Sequence, residues 1–301
     1  MDDQTHFGSS LRCGYYQFMT MRQIHTSTPP TRFKSVEDFL QNRETIRGTV
    51  EIELHGVPFH FFYDWRDSDT TLVTFSGTSS AKMQHVPAWI GNSVSAGLGI
   101  NRILISDPSI ILSTELRLAW YAGNYQQPLL QEDIAQFLTK VTASTRPILF
   151  GPSGGGFAAL LQGAVLPDST VVASNPQTNI AKFTKAAVDR YMQIAWGQDE
   201  LDSAWPPFTH EVMPLYARQN EAKVIYIQNA GDADHIEKHY SPFRDEAHST
   251  NHIIYLMPNL GPGHIGPDGQ SFTNILRAAR DNSDWSALAS ALKSLEITRN
   301  T

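Results

Sequence analysis

The sequence predicts an α/β protein built on a mostly parallel sheet covered by helices on both faces. Two observations carry that expectation. Short runs with an apolar core recur along the chain: 71–77, 102–109, 147–150, 169–174, 223–229 and 252–258. An apolar core in so few residues marks strands buried on both faces, as parallel strands are. Between some of these runs lie segments of helical spacing, so strand and helix alternate along the chain. The length of 301 residues, with no internal repeat, suits one large domain of this type.

Taken in order, residues 1–34 have no clear periodicity and contain Pro29-Pro30, which reads as a tail or a covering arm. Met19 and Met21 are alternative starting points within it. Residues 35–301 are expected to form the main domain. Ser35 is placed to cap a short helix, with Asp38 at the position of a capping box. The β-rich runs 49–54 and 57–64, joined by His55-Gly56, predict an antiparallel hairpin. Residues 129–141 place Leu130, Ile134, Phe137 and Leu138 on one helical face. Almost fifty residues separate the strand at 169–174 from that at 223–229. An excursion of that length predicts a cap insertion over about 179–220, with Trp196, Trp205 and Phe208 either lining a pocket or packing the cap onto the body.

Composition narrows the field of functions. Hydrophobic residues make up 41% and charged residues 18% of the chain, enough apolar material for a core. The formal net charge is −7, with Lys and Arg scattered, which argues against a nucleic-acid partner. One cysteine, Cys13, has no internal disulfide partner and fits a reducing compartment. The N-terminal stretch lacks the apolar core of a signal peptide, and no run approaches the length of a membrane span. A cytoplasmic location is the expectation.

The chemistry is concentrated in Gly151-Pro152-Ser153-Gly154-Gly155-Gly156, which stands between an apolar strand and a helix-like segment. Gly-x-Ser-x-Gly in that setting is a nucleophile elbow, a sharp strand-to-helix turn with the serine at its apex. The helix N-terminus favours negative charge, and the Gly154 N–H supplies half of an oxyanion hole. The other half is expected from Gly77 or Thr78, in the loop after the early strand. So many glycines also suggest a phosphate loop, but the Lys-Ser/Thr ending and the full dinucleotide spacing are both missing.

A serine hydroxyl needs a base, and the base an acid, in the chain order Ser, acid, His for this kind of elbow. Asp232 stands 79 residues after Ser153, and His264 a further 32 on, each just beyond an apolar strand. His264, in a Gly-Pro-Gly-His-Ile-Gly-Pro loop, is the histidine of eleven that is placed to be the base. Asp232 is preferred as the acid and Asp234 is held in reserve. His235 and His239 share a helical face with Glu237 between them. A zinc site there is the minor reading, and a surface helix whose histidines approach the pocket mouth is the leading one. No metal or cofactor is expected.

These residues carry a resemblance. The stretch from Phe150 to Ile180, with 226–235 and 261–267, resembles a bacterial branch of the α/β-hydrolase superfamily associated with surface glycans. It is more distantly similar to the glycan O-acetyltransferase of the accessory Sec system. The resemblance spans about residues 48–292. It implies the α/β-hydrolase fold with a small helical cap, Ser153 as nucleophile, Asp232 as acid and His264 as base. It also implies that Asn175-Pro176-Gln177-Thr178 lies near the active-site rim, with no role attached. The expected activity is that of a serine hydrolase on an acyl ester, with a small molecule or a glycan as substrate. The alternatives are O-acyl transfer by the same residues and a non-catalytic binding module of the same fold.

Overall fold

The computed structural model describes residues 20–198 and 205–299, so Cys13 and part of the 195–208 aromatic stretch lie outside the described residues. Nine strands form one sheet: β1 Thr31–Phe33, β2 Arg47–Leu54, β3 Val57–Asp64, β4 Thr70–Phe75, β5 Asn101–Ile105, β6 Arg146–Pro152, β7 Thr170–Ser174, β8 Lys223–Ile227 and β9 His252–Leu256. Their spatial order is β9-β8-β7-β6-β4-β5-β3-β2-β1. β3 runs antiparallel to both neighbours, and every other pairing is parallel. The predicted hairpin is β2–β3, registered from Arg47 opposite Asp64 to Leu54 opposite Val57.

The central parallel strands carry apolar residues on both faces because successive residues enter two different cores. On β6, Leu149 faces one core while Ile148 and Phe150 face the other; on β8, Val224 and Tyr226 face the first, Ile225 and Ile227 the second. The first core is covered by α1 Val36–Asn42, α2 Leu130–Val141 and α3 Gly154–Gly163. The second is covered by α4 Gly269–Asp281 and α5 Trp285–Lys293. Caps set where these helices begin: Ser35 Oγ accepts from Asp38 N at 3.1 Å, and Asp268 Oδ1 accepts from Ser271 N at 2.7 Å. No described helix is long and apolar enough to cross a membrane.

Residues 20–34, read from the sequence as a tail or covering arm, add a strand to the sheet. β1 pairs in parallel with β2, and a two-residue strand at Gln23–Ile24 pairs with His85–Val86. Arg22 anchors this arm. Its buried guanidinium donates to five carbonyls, those of Ile110, Ser113 (2.5 Å), Leu116 (2.7 Å), Thr114 (3.1 Å) and Met83 (3.2 Å).

Candidate active site

Ser153 sits where β6 turns into α3, at φ +54° and ψ −120°. A non-glycine residue there is strained and must be held by its surroundings. The Ser153 N–H donates to the Ser174 carbonyl at 2.9 Å. Its own carbonyl accepts from Gly156 N at 3.0 Å, Gln177 N at 3.2 Å and Phe157 N at 3.3 Å. Main chain also packs on main chain. A Cβ on Gly155 would fall 2.1 Å from the Phe75 carbonyl oxygen, and one on Gly151 would fall 2.1 Å from that of Gly155. Only glycine permits either approach.

The loop after β4 lies against the serine. A Cβ on Gly77 would come within 2.9 Å of the Pro152 oxygen and 3.4 Å of Ser153 Cβ. The loop is pinned on either side of Gly77 and Thr78. Ser76 N donates to Tyr121 Oη at 2.7 Å, and Ser79 N to the Arg117 carbonyl at 2.8 Å. The Gly77 and Thr78 N–H groups between these pins make no hydrogen bond among the described residues. Tyr121 Oη in turn donates to the Ile105 carbonyl at 2.9 Å. Its backbone N–H donates to Asp107 Oδ2 at 2.8 Å, while Asp107 Oδ1 accepts from Ser109 N at 3.0 Å. Burial pushes the Asp107 carboxyl up to about 6 against those two N–H groups. Sequence reading carried an apolar run to residue 109, whereas the strand ends at Ile105, and it assigned nothing to residues 110–124. Their positions depend on these long-range bonds and on Trp120 and Tyr121, both at positive φ.

Asp232 and His264 come together. Asp232 caps the turn that begins at Ala233, Oδ1 accepting from His235 N at 3.3 Å, and Oδ2 lies 2.8 Å from His264 Nδ1. Asp234 faces away and pairs with Lys238 at 2.5 Å. Two buried asparagines hold the histidine loop. Asn229 Nδ2 donates to the carbonyls of Gly261 (2.8 Å) and Gly263 (2.7 Å), and its Oδ1 accepts from Leu260 N (2.9 Å) and Gly231 N (3.2 Å). Asn175 Nδ2 donates to the Ile265 carbonyl at 2.9 Å, and its Oδ1 accepts from Asn229 N at 2.7 Å. These clamps were invisible in the sequence, where Asn175 was only part of an unassigned motif.

The reading of His235 and His239 as surface residues is corrected. Both are buried, and three imidazoles lie in a row, tilted against one another, with ring centroids 4.1 Å apart for His264–His235 and 4.8 Å for His235–His239. The periodicity was read correctly but the face was not, because this face turns inward under His264. The minor zinc reading of His235 and His239 gains no ligand from Glu237, which is exposed. The group that gathers is Asp232, His235 and His264, one ligand atom from each lying within 4.8 Å of the others. An ion there would compete for the side chains that join Asp232 to His264.

Ser153 Oγ accepts a hydrogen bond from Gln177 Nε2 at 2.9 Å. Among the described residues no hydrogen bond joins Ser153 to His264. Two clefts flank the serine loop, of about 240 and about 360 Å³, and both are lined by Thr78 and Leu118. A larger polar cleft of about 680 Å³, between Arg47 and Gly99, lies beyond the opposite ends of the parallel strands, away from Ser153. Trp196, Trp205 and Phe208 line neither cleft beside the serine. Phe208 stacks on Trp196 at 5.6 Å and meets Trp205 edge-on at 5.7 Å, against the first core.

The sheet order, the antiparallel β3 and the serine at the turn from β6 into α3 define an α/β-hydrolase fold. Solved structures match it across most of its length. The chain is similar to the capsule O-acetyltransferase of Neisseria meningitidis serogroup A, with a TM-score of 0.57 and 15% identity over 80% of this chain and 98% of that one. It is similar to the acylaminoacyl peptidase of Pyrococcus horikoshii, with a TM-score of 0.54 and 10% identity over 83% of this chain and 45% of that one. A chain of the glycosylation-associated Gap123 complex from Streptococcus agalactiae gives a TM-score of 0.51 at 16% identity, over 70% of this chain and 42% of that one. No family model matches the chain, and no curated protein matches it in sequence.

Proposed function

We propose that the protein is a serine acyl-transferring enzyme in which Ser153 is the nucleophile, His264 the base and Asp232 the acid. The observation that carries this reading is the Asp232–His264 pair, 2.8 Å apart, on loops beyond the same strand ends as the strained Ser153. With Nδ1–H donated to Asp232, His264 Nε2 keeps its lone pair for the serine proton. Ser153 Oγ attacks the acyl carbonyl, its proton passes to Nε2, and the carbonyl electrons move onto oxygen. The Gly154 N–H, with that of Gly77 or Thr78, receives that charge. Collapse expels the leaving group, which takes the proton from His264. A second hydroxyl then attacks the acyl-serine and transfers its proton to Nε2; Ser153 Oγ leaves with the bonding pair and takes that proton back. The serine–histidine hydrogen bond forms on substrate binding, as such bonds are often long in unliganded sites.

Water as the second attacker gives ester hydrolysis; a sugar hydroxyl gives O-acyl transfer. The likeness to a capsule O-acetyltransferase along nearly that enzyme's whole length favours a glycan acceptor as the second reading. In either case residues of about 179–220 serve as the cap over the pocket.

The test is labelling by a fluorophosphonate probe, with the adduct mapped by mass spectrometry. The expected adduct is on Ser153, and it disappears in Ser153→Ala and falls steeply in His264→Ala. An unlabelled wild-type protein, beside a labelled control esterase, overturns the serine reading. Acetylated product that requires an added glycan selects transfer over hydrolysis.

A further inference from the structure

We propose that Gln177 is a catalytic residue: its side-chain amide donates to Ser153 Oγ and stabilises the negative charge that this oxygen bears as nucleophile and as leaving group. The proposal rests on the serine reading above and assigns a role to the Asn175–Thr178 motif.

Which end of the amide faces the serine is fixed by chemistry. The Trp120 indole N–H is a donor and never an acceptor, and it donates to Gln177 Oε1. The amide NH₂ is therefore the end that lies 2.9 Å from Ser153 Oγ. Turning the amide over would set NH₂ against the indole N–H and leave two buried donors unsatisfied, at about 1–3 kcal/mol each. Trp120 cannot move aside to relieve this. Its ring is fully buried and packs edge-on against Tyr191 at 5.4 Å and Phe183 at 6.0 Å. Gln177 is itself fully buried, and its backbone N–H donates to the Ser153 carbonyl at 3.2 Å. The lack of a side chain on Gly154 leaves room for the pair: a Cβ there would lie 3.2 Å from Trp120 Cδ1 and 3.3 Å from Gln177 Oε1.

Because Gln177 donates, Ser153 Oγ accepts, and the serine hydrogen is left free for a base. As that proton departs to His264 and the Oγ–carbon bond forms, negative charge on Oγ is met by an N–H already in place. When the acyl-serine breaks down, Oγ leaves with the bonding pair and recovers the proton from His264, and the same N–H stabilises it. A preorganised donor at a charged atom in a dry site is worth about a hundredfold in rate.

Gln177→Glu tests this with little change of shape. It keeps an oxygen for Trp120 to donate to, but replaces the N–H facing Ser153 by a carboxylate oxygen. Fluorophosphonate labelling of Ser153 should slow about a hundredfold at pH 8. The deficit relative to wild type should shrink as the pH falls toward 5, because a protonated carboxyl can donate to Oγ again. A loss that is the same at every pH indicates a structural role and overturns the proposal; so does an unchanged rate at pH 8. Should this variant fail to fold, Trp120→Phe removes the group that orients the amide, and a rate within twofold of wild type overturns the proposal. Failure of the wild type to label is the different result that defeats the serine reading itself.

Discussion

Asp232 divides its carboxylate between its own turn and His264, one oxygen accepting from the His235 N–H at 3.3 Å and the other lying 2.8 Å from His264 Nδ1. Oδ1 is fixed by the chain that follows, so Oδ2 is aimed by the backbone rather than by a free rotamer. Asp232→Asn can present an NH₂ to Nδ1 and so favours the wrong imidazole tautomer. Labelling of Ser153 should fall by about 10³–10⁴-fold. Asp234→Asn should stay within about twofold, since it removes only an exposed pair with Lys238. Equal losses in the two variants would remove Asp232 from the proposed triad.

Asn229→Ala should loosen the loop that carries His264. The side chain makes four hydrogen bonds to that loop and to its own turn. Its removal leaves the carbonyls of Gly261 and Gly263 without that donor and opens a gap at a buried side chain, which should cost about 1–3 kcal/mol in a denaturant titration. Labelling should slow at least about tenfold even where the variant is fully folded, because the base is no longer held in place.

Arg22→Met keeps most of the stem and removes the guanidinium that five carbonyls surround. Burial of those carbonyls without a donor should lower stability by about 2–4 kcal/mol. The loss should appear as an earlier midpoint in guanidinium, with labelling of the folded protein unchanged. A midpoint equal to wild type would show that water takes the place of the guanidinium.

Acid should weaken the fold through the buried histidines. Burial first, and then the adjacent imidazole, push His239 down to about 3, and His235 is lowered for the same reasons by burial and His264. His239 Nδ1 already accepts from Thr178 N at 3.3 Å, so a proton on it would oppose that N–H. In the unfolded chain both histidines titrate near 6.5. Groups depressed by folding contribute stability that is complete above about pH 6.5 and lost as pH falls toward the folded value. The unfolding free energy should fall by up to ~1.4 kcal/mol per pH unit for each histidine between pH 6 and 4.5. His239→Gln should flatten that slope. An unchanged slope in the variant would place the acid sensitivity elsewhere, for instance in Asp64, which lies among the guanidinium groups of Arg102 and Arg66.

What the sequence made legible follows from range. The strands, the hairpin and the Gly-x-Ser-x-Gly turn depend on neighbours within a few residues, and they leave a pattern. Ser153, Asp232 and His264 could be singled out as candidates because each stands just past an apolar strand. The contacts that hold them could not. Trp120 and Gln177 are 57 residues apart, and Asn229 meets Gly261 across 32, so no spacing announces either pair. His235 and His239 showed their shared face but not its direction, which depends on where the His264 loop lies. The three-residue strand β1 is too short to have a period.

Because the elbow is built where Gly151, Gly155 and the Phe75 carbonyl touch as bare main chain, it is a poor place to look for altered selectivity. A mutant library spread evenly over the serine's surroundings would lose most of its members there to misfolding. Randomisation is better spent on the walls of the two flanking clefts, at Leu118, Arg117 and Ala187.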